Sequence, residues 1–123
     1  MLNQLFQSII DTDPTSVVIC DLSHTIVYMN PAAIRNYDKR GGAELVGKSL
    51  LNCHNDHSAQ MIQRVAEYFA QSPSHNRVHT FYNEKQNKDV YMVALRDTSG
   101  TLIGYYEKHE FRNRDMSPFY KFS

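Results

Sequence analysis

The chain has 123 residues and 13 basic against 13 acidic side chains, so its formal net charge is zero. This length indicates one domain that can fold without a disulfide or a metal. Zero net charge offers no basic surface for nucleic acid or an anionic membrane, and neither is expected as a partner. The sequence shows no long apolar run and no secretion signal, so Cys20 and Cys53 are expected to be reduced thiols in the cytoplasm.

The first predicted element is an amphipathic helix over residues 1–12. Its apolar side chains recur at helical spacing: Leu2, Leu5, Phe6, Ile9 and Ile10. Asp13-Pro14 ends the helix, because the residue before a proline disfavours helical backbone. The apolar stripe needs a covering surface, which is either the chain's own sheet or a partner helix.

Two predicted strands and a short helix come next. The β-branched runs "SVVICD" and "TIVYMN" indicate a hairpin. In the following "NPAAIRNY", Asn30 can cap a helix and Pro31 suits its first position, where a missing N–H costs nothing. A glycine-containing loop then leads to "LLNCHNDHSA", which places one cysteine beside two histidines.

A longer helix is predicted to start at Asn55 or Asp56 and to stop before Ser72-Pro73. Its apolar residues follow the i, i+3, i+4, i+7 pattern. Three strands follow, "NRVHTFYN", "DVYMVALRD" and "TLIGYYEKHEF". The middle one is apolar on both faces, which favours a central strand covered on both sides. Residues 113–123 form a tail without a predicted element.

This order of elements describes an α+β domain with an antiparallel sheet and helices on one face. A cavity suited to a small ligand is expected where the helices meet the sheet. Five side chains are candidates for its lining: Tyr28, Met29, Tyr37, Met92 and Tyr105. Cys53 and His54 are expected at its mouth. The alternative for the aromatic and methionine side chains is ordinary core packing.

The stretch "VVICDLSHTIVYMNPAA" resembles the opening of a PAS domain. "ELVGKSLL" resembles the family's glycine-containing turn, and "RDTSGTLIGYYE" resembles its last hairpin. "GKSLLNCHNDHSAQMIQRV" is similar to a subgroup with Cys-His before the long helix. The resemblance covers residues 6–112 and suggests a PAS-like domain over 13–112, between the N-terminal helix and the tail.

The resemblance implies a five-stranded antiparallel sheet, a ligand or interaction cavity, and a homodimer that often forms through the N-terminal helix. It also implies a stand-alone sensory or interaction module that signals through dimer contacts or a signalling protein partner. Occupancy of the cavity would shift the sheet or the N-terminal helix. An enzyme with a related α+β shape is the alternative. Asp21 and Glu107 are the acids nearest the interior, and both are interpreted as turn or edge residues, which counts against catalysis.

The stretch around Cys53 allows several kinds of chemistry. Haem is a possible cofactor with His54 as axial ligand. Zinc is disfavoured because a closed set of four ligands is missing, and flavin is disfavoured because only Asn52-Cys53 match the photosensor motif. A thiol before a helix start can be reactive. The simplest interpretation is that Asn55 and Asp56 cap the helix. Further along the chain, Arg96 and Asp97 are interpreted as a turn pair.

Overall fold

A computed structural model describes residues 1–122. Its elements, in chain order, are α1 (Leu2–Thr12), β1 (Val17–Asp21), β2 (Ile26–Met29), α2 (Pro31–Asn36), α3 (Asp56–Gln71), β3 (Arg77–Asn83), β4 (Lys88–Arg96) and β5 (Leu102–Phe111). Three short 3-10 turns connect α2 to α3, over Asp38–Arg40, Gly42–Leu45 and Leu50–Cys53. The predicted helices and strands are all present.

The strands form one antiparallel sheet in the order β2-β1-β5-β4-β3. The last strand of the sequence is therefore the central one, and it pairs with β1 and β4. This arrangement confirms the α+β fold with a five-stranded antiparallel sheet. Gly104 at the start of β5 has a steric role, because a Cβ there would lie 2.4 Å from the Cys20 carbonyl oxygen.

The face of the sheet toward α2 and α3, called the inner face here, carries the core. Its row of paired residues runs through Val18, Glu107, Met92 and Val78. Phe69 of α3 is fully buried against this face, and so is Tyr105 of β5. Burying such large aromatic side chains supplies much of the apolar stabilisation of a small domain.

The opposite face of β4 is more open than its sequence suggested. Tyr91, Val93 and Leu95 point away from the helices and are only half-buried. The prediction of a strand covered on both sides is therefore wrong, although β4 does lie inside the sheet. The guanidinium of Arg77 lies 3.9 Å from the Tyr91 ring centre, so a charged side chain partly covers this aromatic ring.

Asn30 ties α1 to the rest of the domain. Its Oδ1 accepts hydrogen bonds from the backbone N–H groups of Val17 and Ala33, both at 2.9 Å. Its Nδ2 donates to the carbonyl oxygens of Ile10 at 3.0 Å and Thr15 at 2.9 Å. Asn30 is fully buried, so one amide satisfies backbone groups from three elements and the loop between them. The predicted cap of α2 is confirmed, including Pro31 at its first position.

Among residues 1–122, no helix is both long enough and apolar enough to span a lipid bilayer.

Candidate functional site

A cavity of about 740 Å³ lies between α3, the end of α2 and the inner face of β3, β4 and β5. Its apolar lining comes from both sides, from α3 and from the sheet: Met61, Ile62, Val65, Val78, Val90 and Met92. The floor is polar because it contains Glu107 and His109 of β5 and Lys88 of β4. A concave site with an apolar wall and a few convergent polar groups is the usual form of a small-molecule pocket.

Glu107 occupies the middle of the floor. Its Oε1 accepts hydrogen bonds from the Tyr37 hydroxyl at 3.0 Å and from His109 Nε2 at 2.9 Å. Its Oε2 has no hydrogen-bond partner in the described part of the chain. Burial raises the pKa of this carboxyl, but the bonds from His109 and Tyr37 outweigh burial and hold its pKa below the ordinary value. Glu107 is therefore an ionised acceptor with one oxygen free for a ligand.

Lys88 and His109 continue the floor toward the end of the sheet. Both residues are buried, with 7 % and 6 % of their surface exposed. Burial lowers the pKa of Lys88, and the negative charge of Glu107 partly offsets this effect. His109 Nδ1 has no hydrogen-bond partner within residues 1–122. An acid–base–nucleophile set would require a nucleophile bonded to His109 Nδ1, and residues 1–122 provide none.

The structure brings three predicted cavity residues together: Tyr37, His54 and Met92 line the cavity. Met29 and Cys53 line a small adjoining pocket, called the extension of the cavity here, whose lining also includes Tyr37 and Glu107. The cavity lies on the inner face, so these five side chains share one side of the sheet with the helices.

Two other candidates lie elsewhere. Tyr105 is buried in the core, where its hydroxyl is hydrogen-bonded to His24 Nδ1 at 2.7 Å. Tyr28 belongs to the other face of the sheet, where its hydroxyl donates to Asp11 of α1. That bond raises the pKa of Tyr28. Strand alternation separates Tyr28 from the buried Met29, because successive side chains point to opposite faces.

The stretch around Cys53 forms a 3-10 turn followed by a helix cap. Asn55 Oδ1 accepts the backbone N–H of Ser58 at 2.8 Å, so the predicted capping role of Asn55 is confirmed. His54 Nδ1 donates to the Leu50 carbonyl oxygen at 2.9 Å, which leaves its Nε2 without a proton when the ring is neutral. Across residues 1–122, no three histidine, cysteine or acidic side chains converge in a metal-binding arrangement.

The apolar stripe of α1 faces away from the domain. Leu2, Leu5, Phe6 and Ile9 keep between 52 % and 68 % of their surface exposed, while Ile10 is half-buried. The stripe does not cover the chain's own sheet, so the first alternative for its covering surface is wrong.

The sequence-based interpretation of Glu107 as a turn or edge residue is wrong. The edge strands are β2 and β3, whereas β5 is central. The sequence does contain a signal for the inward position of Glu107. Tyr105, Glu107 and His109 are two positions apart and so share one face of the strand, and the aromatic Tyr105 marks that face as the buried one. Asp21 is a turn residue as expected, since its Oδ1 accepts the N–H groups of Ser23 and Thr25.

Comparisons with known proteins give one consistent result. A family model described as "PAS fold" matches residues 10–108. A comparison with curated proteins gave no match. A C-terminal domain from Streptococcus mutans is similar in structure, with a TM-score of 0.69 and 18 % identity over 89 % of this chain and 84 % of that one.

Two further solved structures are similar. The Aer2 receptor of Vibrio cholerae, described as a dual PAS-heme oxygen sensor, gives a TM-score of 0.58 and 21 % identity over 77 % of this chain and 91 % of that one. The PAS domain of Bordetella pertussis BvgS gives a TM-score of 0.63 and 14 % identity over 92 % of this chain and 88 % of that one. At these identities the likeness to solved structures shows a shared fold.

Proposed function

This chain belongs to the PAS fold family, and from that premise we propose that it is a sensory or interaction module that responds to a small molecule in the cavity. PAS domains typically sense rather than catalyse, so no enzymatic activity is part of the proposal. The observation that carries it is the cavity of about 740 Å³ with an ionised Glu107 on its floor.

The lining restricts the kind of ligand. Met61, Ile62 and Val65 of α3 and Met92 of β4 suit an apolar body. Glu107 Oε2 suits a hydrogen-bond donor on the ligand, such as a hydroxyl or an amine, because a hydrogen bond to an ionised acceptor is stronger than one to a neutral acceptor. The proposed ligand therefore combines an apolar body with at least one donor.

Helix α2 provides the route from the cavity to α1. Tyr37 caps the end of α2 and donates to Glu107 on the cavity floor. Asn30 caps the start of α2 and donates to the Ile10 carbonyl oxygen at the end of α1. A ligand that binds Glu107 changes the surroundings of the Tyr37 bond, and α2 transmits the displacement to Asn30 and α1. Such a ligand shifts the conformational equilibrium by its preference for one state.

The output proposed for α1 is contact with a second copy of the chain. Its stripe of Leu2, Leu5, Phe6 and Ile9 is exposed and follows helical spacing, which suits pairing of two helices. A signalling protein with a matching apolar helix is the other partner class. A movement of Ile10 relative to Asn30 then alters the geometry of the pair.

Haem is the second candidate ligand, and His54 favours it. Because Nδ1 donates to the Leu50 carbonyl oxygen, the tautomer that binds iron through Nε2 is already selected. His54 lines the cavity, and the apolar wall formed by Met61 and Met92 suits a porphyrin face. Bound haem would supply a gas-binding iron. The residues present fit such a group at this position.

Methionine methyl NMR tests the cavity. Of the five methionines, Met61 and Met92 line the cavity, whereas Met1 and Met116 are exposed at the two ends of the chain. A small-molecule mixture that contains a ligand is expected to shift the methyl signals of Met61 and Met92 and to leave those of Met1 and Met116 unchanged. The variant Val65→Phe fills the cavity and is expected to abolish the shift, while the matched variant Val27→Phe on the surface keeps it.

Equal shifts at the terminal methionines, or binding that survives Val65→Phe, would contradict the proposal. Haem is tested separately by reconstitution. A Soret band that His54→Ala removes and His57→Ala preserves supports iron ligation by His54. A band that survives His54→Ala excludes this ligand.

A further inference from the structure

A second recess, of about 270 Å³, adjoins the cavity at the end of the sheet. It lies between the segment before β1, helix α2, the start of β4 and the end of β5. Lys88 and His109 line both the recess and the cavity, so the two spaces adjoin at these residues. Ser16, in the segment before β1, also lines the recess.

Two buried polar atoms in the recess lack the partners that their burial requires, and the Lys88 side chain beside them has no ion-pair partner among residues 1–122. Ser16 and His109 are 5 % and 6 % exposed, and neither Ser16 Oγ nor His109 Nδ1 has a hydrogen-bond partner in residues 1–122. In the same range, no carboxylate lies within 4.0 Å of the Lys88 ammonium, whose nearest aromatic contact is the Phe111 ring at 5.7 Å. A buried polar atom without a partner destabilises the fold, so a ligand that forms a hydrogen bond to it gains free energy.

The charges around these groups favour an anion. Arg35 stands at the rim of the recess, and Lys88 lies inside it. The acid bonded to His109 is the half-buried Glu107, whose Oε1 is already held by Tyr37 and His109. Since His109 Nε2 donates to Glu107, Nδ1 is the remaining ring nitrogen, and it is a donor when both nitrogens carry a proton.

We propose that this recess is an anion subsite that binds the carboxylate of a small organic acid, whose apolar body extends into the cavity. One ammonium, one hydroxyl and one imidazole N–H match the two oxygens of a carboxylate. The body then lies along Val90 and Met92, the next inner-face residues of β4 after Lys88. The assignment rests on the proposed function, because it names the ligand class of the same cavity.

Hexanoate and hexanamide are suitable probes because they share an apolar body and differ in the acid group. Their dissociation constants can be measured from the Met92 methyl signal. We expect hexanoate to bind about ten-fold more tightly than hexanamide, the equivalent of one charged hydrogen bond. Lys88→Met is expected to remove this difference, while Lys85→Met in the exposed loop before β4 is the matched control and keeps it.

Ser16→Ala provides a second measurement that does not depend on the lysine variant. It removes one donor, and we expect hexanoate affinity to fall about three-fold with hexanamide unchanged. If hexanoate and hexanamide bind the wild type with equal affinity, the anion subsite is overturned. The proposal that the cavity binds small molecules would still stand. A preference for hexanoate that survives both Lys88→Met and Ser16→Ala would also overturn it. Binding of inorganic phosphate in place of hexanoate would overturn the carboxylate assignment.

Discussion

The Tyr37 hydroxyl donates a hydrogen bond of 3.0 Å to Glu107 Oε1, although the two residues are 70 positions apart in the chain. The bond joins the end of α2 to the middle of the central strand. Burial raises the pKa of Tyr37, and the negative charge of Glu107 raises it further, so the phenol stays a neutral donor.

Replacing Tyr37 by Phe removes this donor and leaves the rest of the ring in place. We expect the free energy of unfolding to fall by about 2 kcal/mol, since the lost bond is made to a charged acceptor. Urea unfolding measures the change. Tyr106→Phe is the matched control, because the Tyr106 side chain is on the other face of β5 and its hydroxyl has no hydrogen-bond partner among the described residues. Equal losses in both variants would contradict a specific role for the bond.

Glu107 makes stability depend on pH in the acid range. Its folded pKa lies below the ordinary value of 4.5, so it contributes stability at neutral pH. That contribution is complete above the unfolded pKa and is lost as the pH falls through the lower, folded pKa.

We therefore expect Glu107→Gln to flatten the acid limb of a plot of unfolding free energy against pH. Denaturant unfolding at a series of pH values measures this limb. The exposed Glu84→Gln variant serves as control and should keep the wild-type slope. A Glu107→Gln variant with the full acid slope would show that other carboxyls carry the effect.

Asn30 is expected to hold α1 against the domain. Asn30→Asp keeps the acceptor for the Val17 and Ala33 N–H groups but places a second oxygen against the Ile10 carbonyl. We expect a loss of about 3 kcal/mol, because a donor is lost and a buried charge faces carbonyl oxygens. Hydrogen exchange of the α1 amides should accelerate more than exchange in β5. Uniform acceleration across the chain would instead indicate global destabilisation alone.

Arg96 closes the end of α3 and is not a simple turn residue. Its Nη2 donates to the carbonyl oxygens of Phe69 at 2.7 Å, Ser72 at 3.1 Å and His75 at 3.2 Å. Its Nη1 also donates to the Gly100 carbonyl oxygen at 3.1 Å, so Arg96 contacts the predicted turn between β4 and β5 as well as the end of α3. We expect Arg96→Met to lower the free energy of unfolding by about 3 kcal/mol, since several carbonyl groups lose a charged donor. Arg114→Met in the exposed tail is the control and should change stability little.

The stripe on α1 is expected to determine self-association. Replacing Leu5 and Phe6 by Asp places two charges on the exposed apolar surface. If two helices pair there, the dissociation constant of the dimer should rise more than 100-fold, because each helix loses two apolar side chains whose burial contributes about 1.5–3 kcal/mol each. Sedimentation equilibrium measures it, with Asn3→Asp on the same helix as control. An unchanged oligomeric state would contradict the pairing.

The elements of the fold could be predicted because their signals are local. Asn30 with Pro31 and Asn55 with Ser58 are caps whose partners lie within a few residues, so the sequence shows both members of each interaction. The alternation of apolar residues likewise identified the strands. Their bounds in the structure agree closely with the predicted segments.

The polar floor of the cavity depends on strand order, which is not local. Glu107 is an inward-facing residue because β5 inserts between β1 and β4, and no short motif specifies that pairing. The sequence predicts Tyr28 in the cavity, but Tyr28 lies on the opposite face of the sheet, since one step along β2 reverses the direction of a side chain. Arg96 contacts carbonyl groups more than 20 positions away, which no sequence window contains.

The two thiols of the chain differ in accessibility. Burial raises the pKa of Cys20 to about 12, so this thiol is protonated and enclosed in the core at neutral pH. Cys53 is half-buried and lines the extension of the cavity. A maleimide or nitroxide reagent should therefore attach to Cys53 in the native protein without any substitution. The wild-type chain thus has its own labelling position for a fluorescent or spin probe, beside the space in which a ligand is expected to bind.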